Sequence, residues 1–132
     1  MKQELQCFLY HSELDCAAKV NCVADIVKEA RSFNELHEIT GVLMFDGHRF
    51  AQYIEGSPEK IELLVSKLAK DPRHTNFTEQ YIALRSGKRL FPNWFMAYVH
   101  FEDTDPLAVI TSLKGELALK KLEEMLPELD YA

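Results

Sequence analysis

Apolar positions along this chain change their period several times, and each change marks an element. Gln6 to Tyr10 is a short apolar run that predicts a first strand, with Phe8, Tyr10 and Ser12 on one face and Cys7 and Leu9 on the other. Residues 13–20 read as a loop. Asn21 is placed to cap a helix in which Val23, Ile26, Val27, Ala30 and Asn34 fall on one face at helical spacing. Ile39 to Phe45 is a second strand, and Asp46-Gly47 is a hairpin signal leading into a third. On that third strand Phe50, Gln52 and Ile54 share one face, and Arg49, Ala51, Tyr53 and Glu55 the other.

Ser57-Pro58 opens a second helix, whose inner face is Ile61, Leu64, Val65 and Leu68 and which Asp71-Pro72 ends. Phe77 to Arg85 alternates as a fourth strand, with Tyr81 and Ala83 opposite Ile82 and Leu84. Trp94 to Phe101 is the fifth. Trp94, Met96, Tyr98 and His100 share one of its faces, and Phe95, Ala97, Val99 and Phe101 the other.

The order strand, helix, strand, strand, helix, strand, strand predicts an α+β fold. It is a ferredoxin-like five-stranded sheet, mainly antiparallel, with two helices on one face. The opposite face carries Leu9, Ala51, Tyr53, Phe95, Val99 and Phe101, and needs a cover. Asp105-Pro106 starts a helix bearing Leu107, Ile110 and Leu113, Gly115 interrupts it, and a last helix carries Ala118, Leu122, Met125, Leu126 and Leu129. These two short helices are expected over that face, or in a dimer interface. Residues 1–103 then form the main domain, and 104–132 a helical extension for output or oligomerisation.

Composition narrows the function classes. The 132 residues suit one domain with a real core, and 47% hydrophobic with 27% charged residues is ordinary for a globular chain. A net charge of −6 argues against nucleic acid as main partner. No apolar run reaches membrane-spanning length, and no signal peptide precedes the first strand, so the expected location is the cytoplasm. Cys7, Cys16 and Cys22 form no Cys-x-x-Cys pair, and the five histidines are scattered, so neither a disulfide framework nor a metal site is expected.

Three polar residues sit where core residues belong. Gln52 lies between Phe50 and Ile54, Tyr10 lies on the inner face of strand one, and Asn34 ends the buried face of the first helix. Each has an ordinary explanation. Gln52 as a core amide would bond a backbone group or a water, and Asn34 would cap its helix. Each also suits a bound ligand, because neighbouring strands one and three would let Tyr10 touch Gln52, and an amide both donates and accepts. Arg73-His74 is either a solvated loop or a holder for an anionic or carbonyl-rich group.

Longer stretches add a family resemblance. Leu9-Tyr10-His11-Ser12, Asp25-Ile26-Val27, Ala30 to Asn34, Ile39 to Leu43, Phe50 to Gly56, Asp71 to His74 and Arg89 to Met96 occur in the order seen in BLUF domains, the blue-light sensors using FAD. The chain resembles that family over about residues 6–101. The resemblance implies FAD as cofactor, Tyr10 as electron donor and Gln52 as the switching amide between it and the flavin. It also implies that Asn34 bonds the C4=O and N3 edge, and that Ile26 and Val27 wall the ring between the two core helices. Ser12 corresponds to the serine beside the tyrosine. Arg73 and His74 correspond to positions that contact the flavin and its side chain, and Asp71 to an acid in the same loop. Trp94 and Met96 correspond to fifth-strand residues that relay the change. Ala51 departs from the bulky aromatic common before the glutamine.

The resemblance implies a photoreceptor and not an enzyme. Blue light drives an electron and a proton from Tyr10, Gln52 is left rotated or tautomerised, and the state reverts in the dark. Strand five and the C-terminal helices would pass the change to a partner protein, with self-association into a dimer or larger oligomer also expected. A flavin enzyme would need a substrate site and an acid or base beside N5, for which the sequence offers no candidate. A flavin-free interaction domain would have no use for Tyr10, Asn34 and Gln52 together.

Overall fold

The first strand lies inside the sheet because both of its faces are buried. Phe8, Tyr10 and Ser12 on one side and Cys7 and Leu9 on the other are each at most 2% exposed. The computed structural model describes residues 4–15, 22–98, 105–125 and 130–131. Along the chain these form β1 (Glu4–Leu14), α1 (Cys22–Leu36), β2 (Thr40–Phe45), β3 (Arg49–Gly56), α2 (Pro58–Ala69), β4 (His74–Ser86), β5 (Trp94–Tyr98), α3 (Pro106–Ser112), α4 (Glu116–Met125) and β6 (Asp130–Tyr131).

The sheet runs β4-β1-β3-β2-β5-β6. Every neighbouring pair is antiparallel except β2 with β5. The α+β, ferredoxin-like arrangement expected from the sequence is present. Two differences concern its edges. β4 begins at His74, three residues before the predicted Phe77. A two-residue strand, β6, pairs with β5 on the far edge. Two residues carry no period, so nothing in the pattern announces it. The expected cap Asn21, the strand residues Val99, His100 and Phe101, and the helix residues Leu126 and Leu129 lie outside the described residues.

Local chemistry sets the element ends. Ser57 accepts from the Lys60 N–H, and Pro58 opens α2 where no donor is needed. Asp46 closes the β2–β3 hairpin through Oδ1, which accepts from the His48 and Arg49 N–H groups. Gly41 is required where it stands. Its φ is +148°, and an added Cβ would lie 1.9 Å from the Tyr53 carbonyl oxygen.

Helices α1 and α2 cover one face of the sheet, α1 against β5 and α2 against β1 and β3. Beneath α2 pack Phe8, Tyr10, Ile39, Ile54, Ile61 and Leu64. Helices α3 and α4 cover the opposite face, as expected, α3 against β3 and α4 against β4. Leu107, Ile110, Ala118 and Leu122 are fully buried there against Leu9, Val42, Met44, Ala51 and Tyr53. Each of the larger of these side chains contributes about 1.5–3 kcal/mol by leaving water. Arg49 fastens the N-terminal end of α3 to the hairpin, pairing with Asp46 and with Asp105, the N-cap of α3.

Candidate functional site

A cleft opens between α1 and α2 above β1 and β3. The space closed off within it is about 40 Å³, and the rest is open to solvent. Its floor holds Tyr10, Leu43 and Gln52. Ile26, Ala30, Phe33 and Asn34 of α1 form one wall, and Leu64, Lys67 and Leu68 of α2 the other. Asp71, Arg73 and His74 complete the rim.

The floor is an ordered chain of hydrogen bonds. β1 and β3 pair Tyr10 with Gln52, so the two side chains leave the sheet side by side. Gln52 Nε2 donates to the Tyr10 hydroxyl at 2.6 Å, and the Trp94 indole N–H donates to Gln52 Oε1 at 2.9 Å. An indole nitrogen can only donate, so the carbonyl end of Gln52 must face Trp94 and its NH₂ must face the phenol. Trp94 therefore sets the orientation of the amide. The Tyr10 ring stacks on Phe77 at 4.6 Å between centroids. Burial pushes the phenol above its ordinary pKa, and the Gln52 bond offsets only part of this. Tyr10 is thus a neutral phenol that still holds its proton.

Asn34 is fully buried two residues before the end of α1. Its backbone carbonyl accepts from Ile39 N–H, while the chain turns out of the helix at Glu38, in the left-handed region at φ 56°. Asn34 is therefore not the capping residue. Its side-chain Nδ2 and Oδ1 are both buried with no protein partner among the described residues. An amide with both ends unpaired in a cleft is costly, at roughly 1–3 kcal/mol per unsatisfied group, unless a ligand meets it. A ring with adjacent N–H and carbonyl groups satisfies both ends, and the isoalloxazine edge of FAD has that pattern. The residues present fit the cofactor.

At the rim, Arg73 is already engaged. Its guanidinium bonds Asp71 at 2.7–3.1 Å and reaches Glu29 of α1 at 2.5 Å. Asp71 is raised by burial, but the side-chain and backbone bonds from Arg73 outweigh this and hold it below its usual value. His74 Nδ1 lies 2.9 Å from Ser12 Oγ, and its Nε2 is buried without a protein hydrogen-bond partner among the described residues. Burial lowers the His74 pKa, and the Arg73 charge adds to this while Asp71 opposes it, so the imidazole is neutral.

The structure thus brings Tyr10, Ile26, Asn34, Gln52, Asp71, Arg73 and His74 to one cleft, with Ser12 behind His74. Val27 lies elsewhere. It lines a neighbouring groove with Val23, Arg31 and Met96, because the face of α1 turned to the cleft is Ile26, Glu29, Ala30 and Phe33. Met96 is fully buried beneath that groove with Phe50 and Leu43, and does not line the cleft. Glu29, Phe33 and Lys67 also line the cleft and are absent from the residues expected there. The i, i+3, i+4, i+7 spacing from Ile26 to Phe33 was the available signal. The Lys67 ammonium lies 4.6 Å from the Phe33 ring centre. Among the described residues no His, Cys, Asp or Glu cluster could hold a metal ion.

Comparison with known proteins shows what the chain is similar to. The blue light- and temperature-regulated antirepressor BluF of Escherichia coli (strain K12) is 31% identical over 75 residues, 57% of this chain and 19% of that protein. The photoactivated adenylate cyclase subunit alpha of Euglena gracilis is 28% identical over 99 residues, 73% of this chain and 9% of its own length. The chain therefore spans about a fifth or less of these relatives. Among solved structures, the photo-activated state of BlsA superposes with a TM-score of 0.72 at 29% identity, covering 92% of this chain and 94% of that one. The dark state of BlrB, a BLUF protein, gives 0.63 at 31% identity, covering 76% of this chain and 75% of its own. The family model described as sensors of blue-light using FAD matches residues 5–97, well over half the sequence, and the chain belongs to that family, BLUF, whose cofactor is FAD.

Proposed function

We propose that this chain is a blue-light photoreceptor in which Tyr10, Gln52 and Trp94 form the switch. The observation that carries the reading is the buried Asn34 amide, unpaired by protein, in the same cleft as the Tyr10–Gln52–Trp94 chain. FAD, when bound, supplies the absorption of blue light and an excited state that accepts an electron. Asn34 would hold the ring edge, with Ile26, Phe33, Leu64 and Leu68 as apolar walls and neutral His74 at the rim.

Tyr10 is suited to give up both an electron and a proton. Its phenol is protonated, and one hydrogen-bond step links it to an amide. Gln52 has two usable arrangements. In one its carbonyl accepts from Trp94, and in the other the amide is rotated or tautomerised and that bond is lost. Tyr10 recovers its electron and proton as the state reverts, so nothing is consumed. This is a cycle of sensing and not of turnover, and no acid or base acts on a substrate.

The switch must reach beyond the cleft. Trp94 begins β5, and Met96 sits two residues on, on the same face. β5 pairs with β6 through Ala97 with Tyr131 and Tyr98 with Asp130, which supports a path from Gln52 along strand five into the C-terminal extension, residues 104–132. We read that extension as the output element, passing its change to a partner protein or to self-association. The net charge of −6 favours a protein partner over nucleic acid. No helix among the described residues is long and apolar enough to cross a membrane. We place the protein in the cytoplasm on composition.

The deciding measurement is the absorption spectrum of purified, FAD-loaded protein before and after blue light. A small red shift that relaxes in darkness supports the reading, and a spectrum that light leaves unchanged overturns it. Truncation after residue 103 tests the output path. Partner binding or self-association that stays fully light-dependent without residues 104–132 would refute it.

A further inference from the structure

One buried polar residue is used neither by the cleft nor by strand five. β1 and β4 pair in register from Glu4 to Leu9, where Leu9 faces Tyr81. The next pair is Tyr10 with Glu79, so Gln80 is an extra residue in β4, a bulge directly beside Tyr10. A bulge breaks the alternation of faces. Gln80 and Tyr81 therefore both turn to the face covered by α3 and α4.

Gln80 is buried there and fastens the turn between the two helices. Its Nε2 donates to the Ile110 carbonyl at 2.9 Å and the Leu113 carbonyl at 3.0 Å. Its backbone carbonyl accepts from the Gly115 N–H at 2.9 Å. The Ile110 carbonyl also accepts from the Leu113 N–H at 3.1 Å, so the amide reinforces the end of α3 from outside and pairs the Leu113 carbonyl just beyond it. Its Oε1 has no protein partner among the described residues, so those two donated bonds alone orient the amide. With Asp105 held by Arg49 of β3 at the other end, α3 is tied at both ends to strands flanking β1.

We propose that Gln80 is a positioning residue that couples the strand bearing Tyr10 to the α3–α4 turn, giving the switch a second output route through the β4 bulge. The proposal rests on the photoreceptor reading above. A bulge is the point where strand pairing can shift by a residue without disturbing the ladder on either side. A change in the β1 backbone at Tyr10 meets Gln80 first. Moving Gln80 withdraws three hydrogen bonds from one turn.

The test uses the full FAD-loaded chain and compares wild type with Gln80→Met, which keeps length and apolar bulk but cannot donate. Flavin absorbance and hydrogen exchange of residues 106–125 are followed in darkness and under blue light. In wild type, exchange across the α3–α4 turn should rise on illumination. In Q80M the red shift and its recovery should persist while the light–dark difference in exchange is lost. A second variant, Gln80→Glu, sets a carboxylate against two carbonyls and should show the raised exchange already in darkness. A full light–dark difference in Q80M, or a red-shifting wild type whose residues 106–125 exchange equally in light and dark, would overturn the coupling and leave the photoreceptor standing. A wild type with no red shift would remove the photoreceptor reading itself, and the coupling with it.

Discussion

Replacing Asn34 by leucine should move stability and cofactor affinity in opposite directions. The Asn34 amide is fully buried, with neither end paired among the described residues. An unsatisfied buried polar group costs roughly 1–3 kcal/mol, and an apolar group of similar shape does not carry that cost. Leucine is close to asparagine in shape and is the better helix former by a few tenths of a kcal/mol. FAD-free N34L should therefore be more stable than wild type by about 1–3 kcal/mol. The same change removes the donor and the acceptor that hold the ring edge. Loss of about 1–3 kcal/mol of binding weakens FAD by about 5- to 150-fold. Urea unfolding of FAD-free protein, followed through Trp94, the single tryptophan, reads the first quantity. Quenching of flavin fluorescence on titration reads the second. An N34L protein that is less stable without FAD and binds it as tightly as wild type would refute the assignment of Asn34.

Trp94→Phe removes the indole N–H that holds the Gln52 carbonyl toward β5; both amide orientations should then be populated before illumination, and the light-induced red shift should shrink while FAD stays bound. Gly41→Ala should cost more than about 4 kcal/mol, because the new Cβ would meet the Tyr53 carbonyl at 1.9 Å and backbone cannot yield there; a circular-dichroism melt within a few degrees of wild type would contradict this. His74 is held neutral, with its pKa lowered mainly by burial, so acid favours the unfolded chain, where its pKa is about 6.5. The stability it contributes is complete above that value and is lost as pH falls through the window below it, with His11 adding in the same direction. The urea midpoint should fall between pH 7.5 and 5, and less steeply in His74→Asn; a flat profile in wild type would count against a buried neutral His74.

The sheet faces, the helix order and the cover over the second face were legible in the sequence. Alternation and helical spacing state directly which side chains share a face, and burial then demands a partner for each apolar face. Tyr10, Asn34 and Gln52 stood out for the same reason, as polar groups on faces that water cannot reach. What the pattern does not contain is the rotation of a helix about its own axis against its neighbours. On α1 the apolar face read from the sequence holds Val27 and not Phe33, whereas in the fold Phe33 lines the cleft and Glu29 lies at its rim.

The remaining features are pairings between residues far apart in the chain. The Gln52 orientation depends on Trp94, 42 positions away, and the α3 end depends on Gln80, 30 positions away. Gln80 was invisible for a further reason, since a bulge is a break in the very period by which a strand is read. Arg73 looked free to meet a ligand until folding set Asp71 and Glu29 against it. The sequence by itself determined which residues must leave water. Only the tertiary structure decided which polar groups they carry inside, and which of these meet, because that depends on distances between elements and not on the period within any one of them.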